Sequence, residues 1–243
     1  MKLVHLVFVC CVVFLAACDQ SANKASQNLL LMFGDQEEGV DPYQTRILVT
    51  PDFMRFDDGE GATDYLVFDR KQQTIYSIVQ ETKSITVISS AAVEVKPPFD
   101  LKLSHKKIDD MQDAPSMEGV KPQHHVFLSG EEVCFEVLSV AGFLPAYVAA
   151  MQEFNTVLAN DSALTLSSLP ADMHNGCNLA KGIFEPNRQF ALGFPLQRWS
   201  PDGSSSVLID FKKDYQADKT LFEIPASYSR LNIQEIRSKL SKP

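Results

Sequence analysis

Between Tyr43 and Ser90 the chain repeats one pattern: short runs of β-branched and aromatic residues, about ten residues apart, divided by polar turns. The runs are Arg46–Thr50, Phe53–Phe56, Asp64–Asp69, Thr74–Val79 and Ser84–Ile88. Asp57-Asp58-Gly59-Glu60-Gly61, Arg70–Gln73 and Gln80–Lys83 separate them. This is the signature of an antiparallel meander. Strand alternation sends Ile75 and Val79 to one face and Tyr76 and Ile78 to the other, so the sheet is apolar on both sides. Such a sheet needs cover on both sides. The expected fold class is therefore α+β, a curved antiparallel β-sheet (an incomplete barrel) with a few packed helices, or a ligand, in its concave face. Tyr65, Val67, Ile75 and Ile85 are the candidates for lining that face, with the inward parity of each strand left open.

The rest of the chain extends the pattern. Leu29–Phe33 reads as a first edge strand and Gly34–Pro42 as an acidic loop. Phe99–Ile108 reads as a strand, and Gln123–Leu128 and Val133–Val140 as a hairpin around Ser129–Glu132. Pro145 opens a helix of about fourteen residues, whose Tyr147, Met151, Phe154 and Leu158 form an apolar stripe read as core. Ala159–Pro186 is irregular. Gln189–Trp199 and Ser205–Lys212 flank the turn Ser200-Pro201-Asp202-Gly203, and Leu221–Ile224 reads as a short strand. Asn232 and Glu235 form a capping box before a short C-terminal helix. Residues 43–243 are expected to form a single β-rich globular domain.

The N-terminus speaks to location. Lys2 precedes an apolar run from Leu3 to Leu15. The run is shorter than the roughly 20 residues of a spanning helix and has the flanks of a secretory signal. Leu15-Ala16-Ala17-Cys18 resembles the lipobox of bacterial lipoproteins. The resemblance implies that residues 1–17 are a signal peptide, cleaved before Cys18, whose sulfur carries diacylglycerol and whose new amino group is acylated. Two or more acyl chains hold a protein firmly to a bilayer, at about 0.8 kcal/mol per buried methylene. Asp19 resembles the signal that retains lipoproteins at the periplasmic face of the inner membrane, with the outer membrane as the alternative. Residues 18–42 would comprise the lipidated cysteine, a small polar tether over 19–28 and an N-terminal segment.

Charge and cysteine use agree with that compartment. The 243 residues carry a net charge of −9, which argues against nucleic acid as a partner. It also leaves anchoring to the lipid, since an acidic chain gains nothing from anionic headgroups. With Cys10 and Cys11 removed in the signal and Cys18 lipidated, Cys134 and Cys177 remain. In an oxidising compartment they are expected to pair, the alternative being two buried thiols.

Further stretches resemble a known group. Phe53–Asp58 with Asp69–Ile78, Cys177–Ala180 with Gly193–Leu196, and Leu221–Tyr228 look like uncharacterised bacterial envelope lipoproteins, whose sheet resembles the lipoprotein carriers LolA and LolB. The resemblance implies a half-barrel closed by helices around an apolar cavity.

Chemistry-bearing motifs are absent from the sequence. There is no nucleophile elbow, phosphate loop, dinucleotide fingerprint or zinc-protease helix. His124 and His125 are adjacent on a strand and point to opposite faces, so they cannot share one ion. They, His105 and His174 read as exposed or half-buried polar residues. Asp57-Asp58, Asp109-Asp110 and Glu131-Glu132 read as solvated turn residues. No catalytic residue, metal ligand or cofactor is assigned. The leading expectation is a non-enzymatic, membrane-anchored periplasmic lipoprotein that binds a hydrophobic or lipid ligand, or an envelope protein. The rivals are an interaction or assembly module with a filled core, and a metal-binding protein or enzyme.

Overall fold

The computed structural model describes residues 28–89, 92–166, 174–233 and 236–237. The described residues form one open, twelve-stranded sheet. Its meander half comprises β1 (Leu29–Gln36), β2 (Tyr43–Val49), β3 (Phe53–Asp57), β4 (Tyr65–Asp69), β5 (Thr74–Val79) and β6 (Ser84–Ser89). The other half comprises β7 (Leu103–Ile108), β8 (Gln123–Ser129), β9 (Glu132–Val140), β10 (Phe194–Trp199) and β11 (Ser205–Lys213). β12 (Ser229–Asn232) completes the order β12-β6-β5-β4-β3-β2-β1-β11-β10-β9-β8-β7. One substantial helix, α1 (Pro145–Ala163), lies on one face, and a single turn, α2 (Gly176–Leu179), leads into a π-turn over Ala180–Phe184. The fold is thus sheet-rich, and the α+β class describes it only loosely.

The meander strands fall where the alternation predicts, and both faces are covered. On one face Leu31, Phe33, Ile47, Val49, Met54, Phe68 and Ile75 pack with Tyr147, Phe154 and Val157 of α1 in the main core. Pro145 occupies the first turn of α1, where its fixed φ suits the helix and its missing N–H costs nothing. The helix is held by rings: Phe154 lies 5.1 Å from Phe56 and 5.7 Å from Phe68, and Tyr147 lies 4.9 Å from Phe194. Arg70 adds a two-pronged ion pair to Glu153, both bonds 2.7 Å. α1 touches β2, β5, β6 and β10.

The opposite face is covered by chain rather than by helix. Val67, Tyr76, Ile78 and Ile85 pack beneath Ile224 and Tyr228, while Leu30 and Leu48 pack beneath Phe222, Tyr215 and Leu221. Leu221–Ile224 is therefore not a strand. Asp218 accepts the Thr220 N–H at 2.9 Å and winds Lys219–Phe222 into a 3-10 turn that buries Phe222. The chain then joins the sheet as β12, parallel to β6, so the sheet is mixed and not wholly antiparallel. β1 is a central strand between β2 and β11, not an edge, because Leu29, Leu30 and Leu31 find cover on both faces. Helix α1 runs 19 residues, longer than its apolar stripe requires. Asn232 ends β12, and Glu235 with most of the expected C-terminal helix lies outside the described residues. No helix among the described residues is long and apolar enough to cross a membrane.

Candidate functional site

A cleft of about 660 Å³ opens between the sheet, α1 and the segment that follows the π-turn. Its interior is apolar: Phe33, Ile47 and Phe56 rise from β1, β2 and β3, and Met151 and Leu158 descend from α1. The stripe read on α1 thus divides. Phe154 is buried in the core, Tyr147 is buried but also borders the cleft, and Met151 and Leu158 face it. The π-turn shapes one wall through Glu185 N–H, which donates to Ala180 O at 2.8 Å. Wide turns of this kind recur at functional sites, where they displace side chains that a regular helix would stack. Gly182 sits on this wall with nothing within 4 Å of where a Cβ would project.

The rim is charged. Lys181, Arg188 and Arg198 line the cleft, with Asp35 and Glu185. Desolvation by the surrounding walls, reinforced by the positive field of Arg198, pushes the Lys181 ammonium below its usual range, although the side chain keeps solvent contact through the mouth. Burial also lowers Arg188, whose guanidinium lies over Phe127 and Phe135 at 4.9 and 5.3 Å. Its Nη1 donates to Leu128 O at 3.3 Å, and its buried Nη2 has no partner among the described residues. Burial pushes the Tyr147 phenol up, with Arg198 acting in the opposite sense. Arg198 therefore acts electrostatically on both Tyr147 and Lys181.

A disulfide fixes this wall. Cys134 of β9 and Cys177 of α2 are joined, with 5.1 Å between their Cα atoms, as expected for the pair. Beside the bond, Gly176 lies against β8: a Cβ there would meet Ser129 Oγ at 1.9 Å. That hydroxyl donates to Leu101 O at 2.8 Å, so neither group has room to move. A second recess of about 310 Å³ lies next to the disulfide and shares Lys181 and Arg198 with the main cleft.

Other residues singled out from sequence fall elsewhere. Cys18 and Asp19 lie outside the described residues. Of the four side chains proposed for the concave face, Ile75 alone packs on the α1 side; Tyr65, Val67 and Ile85 lie on the opposite face, under the C-terminal segment. Pairing parity decides this, since Ile75 opposes Phe68 while Val67 opposes Tyr76. His124 and His125, adjacent on β8, are both buried rather than exposed or half-buried. His124 Nδ1 lies 2.8 Å from Asp110 Oδ2, its Nε2 lies 2.7 Å from Glu136 Oε2, and its ring lies beside Trp199. His125 packs against His105; burial, then the positive neighbours His105 and Lys107, lowers its pKa. No group of three His, Cys, Asp or Glu among the described residues could hold a metal.

Asp57 is not a solvated turn residue either. It ends β3 with its side chain fully buried. Its oxygens accept Arg46 Nε at 2.7 Å, Arg46 Nη2 at 2.9 Å and Arg55 Nε. Arg55 in turn donates from Nη1 to Leu221 O at 2.6 Å and stacks on Tyr65 at 3.7 Å, which pins the C-terminal segment over the sheet.

The cations of the rim were not found from sequence. Lys181, Arg188 and Arg198 sit on a π-turn, a 3-10 turn and a strand, and no single periodicity joins them.

No protein-family model matches the chain, and none of the curated proteins matches it. Among solved structures, an uncharacterised conserved protein from Thermus thermophilus aligns at 10% identity and a TM-score of 0.42, covering 85% of this chain and 91% of that one. PNGF-II aligns in two crystal forms at 11% identity, with TM-scores of 0.41 and 0.40. The chain spans about a third of PNGF-II, 33% and 34% in the two forms. Likeness at this level carries no argument about function.

Proposed function

We propose that this chain is a non-enzymatic lipoprotein of the bacterial cell envelope, tethered through acylated Cys18 to the periplasmic face of the inner membrane, that binds a hydrophobic ligand between α1 and the sheet. The carrying observation is the cleft itself: about 660 Å³, open to solvent and apolar inside. That lies within the range of about 300–1,000 Å³ usual for small-molecule sites. The rival filled-core module expects no such space.

The half-barrel reading has its own support. β6 and β10 stand seven places apart in the sheet order, and the single helix α1 touches both. A sheet that curls around one helix meets this condition and leaves a concave face for the ligand.

Native mass spectrometry of protein purified from its host tests the reading. Wild type is expected to carry a bound lipid mass. Gly182→Phe, which adds a ring to the wall where a Cβ has open space, is expected to lose it while melting at the same temperature. Wild type with no bound mass and no uptake of added lipid would overturn the assignment. Failure of labelled palmitate to incorporate in the native host would overturn the anchor.

A further inference from the structure

The rim of the cleft bears more positive charge than its setting explains. The chain as a whole is acidic, at −9, yet three cations and two carboxylates line this cavity. Four arginines elsewhere are matched: Arg46 and Arg55 share Asp57, Arg70 holds Glu153, and Arg237 holds Asp161. Among the described residues Lys181, Arg188 and Arg198 form no ion pair, although Asp35 and Glu185 line the same space. Unpaired cations that line one partly desolvated mouth repel one another, as the lowering of Lys181 by Arg198 records. An arrangement of that kind is relieved by an anion. The space behind it is apolar, with Phe33, Ile47, Met151 and Leu158 leading inward from the charged rim.

We infer that the cleft takes an amphiphile with one anionic headgroup, carboxylate or phosphate, whose charge sits between Lys181 and Arg198 and whose single aliphatic chain runs inward over Ile47 and Met151. The inference rests on the cleft being the ligand site. Lys181 and Arg198 reach the headgroup directly through the mouth. Arg188 stays in the wall, packed on Phe127 and Phe135, and contributes its field. The disulfide holds α2, and with it the π-turn that carries Lys181, against β9.

The test uses matched probes of equal chain length: hexadecanoate, hexadecyl phosphate and hexadecanol. Each is added to the full-length protein in a non-ionic detergent micelle and scored by native mass spectrometry. Wild type is expected to bind an anionic probe about tenfold more tightly than the alcohol, the discrimination that one charge-assisted hydrogen bond supports. The two anionic probes distinguish a carboxylate site from a phosphate site. Lys181→Gln with Arg198→Gln is expected to erase the preference by weakening the anionic probes to the level of hexadecanol, and an unchanged melting temperature shows that the variant is folded. Equal binding of all three probes by wild type would overturn the headgroup inference while leaving the hydrophobic site standing. A preference that survives the double substitution would overturn the role of these two cations. Binding of no probe would overturn both this inference and the ligand-binding function beneath it.

Discussion

The substitution Asp57→Asn probes the most concentrated electrostatic dependence in the fold. The carboxylate has no solvent exposure and receives bonds from two guanidiniums, with Gly59 N–H as a further donor at 3.1 Å. Replacement by an amide keeps the shape and one acceptor but removes the charge that balances Arg46 and Arg55. Breaking a buried ion pair by removing one partner costs roughly 3–5 kcal/mol, chiefly because the remaining charge stays buried and uncompensated. Here two cations are left, so the upper part of that range is expected. Urea denaturation followed by fluorescence of Trp199, the single tryptophan, measures it. The pH dependence gives a second readout. Burial alone would raise the Asp57 pKa, but hydrogen bonds from Arg46 and then Arg55 outweigh it and hold the carboxyl below its usual value. A depressed folded pKa stabilises above the unfolded value of about 3.9 and loses that contribution as pH falls through the folded value. Wild type should therefore lose stability on acidification below about pH 4 more steeply than Asp57→Asn. A loss under about 1 kcal/mol at neutral pH, or identical acid profiles, would refute the reasoning.

Gly193 adopts φ +111°, and a Cβ there would meet Val140 O at 2.4 Å, so Gly193→Ala is expected to cost roughly 3 kcal/mol in the same urea assay. Gly203→Ala, at φ +84° in the open Pro-Asp-Gly turn, should cost only about 1 kcal/mol; equal costs would dismiss the role of the clash. The Cys134–Cys177 bond closes a 43-residue separation, so replacing both cysteines by alanine should remove about 4 kcal/mol. Two alkylatable thiols in the unreduced protein would show that the bond does not form.

The meander was legible because its information is local. Alternation over Thr74–Val79 and turn residues on both sides place β5 without reference to any other strand. The cysteine pair was legible by elimination, because the expected signal peptide and lipobox would account for the other three cysteines. The α1 stripe was legible as an apolar face, though not in its division between core and cleft. Which half of the stripe meets packed rings and which half meets open space depends on how far the sheet reaches beneath the helix.

What the sequence determined alone was the strand-and-turn rhythm, the two-sided apolarity and the helix that begins at Pro145. Each follows from backbone geometry acting over a few residues. Tertiary structure alone decided that Tyr65, Val67 and Ile85 face away from α1, that Asp57 is a buried hub, and that Lys181, Arg188 and Arg198 share one rim. Those facts depend on pairing parity and on contacts such as Arg55 to Leu221, separated by 166 positions. Local alternation records that a strand has two faces, but only the partner packed on each face determines which one becomes core, cover or cleft.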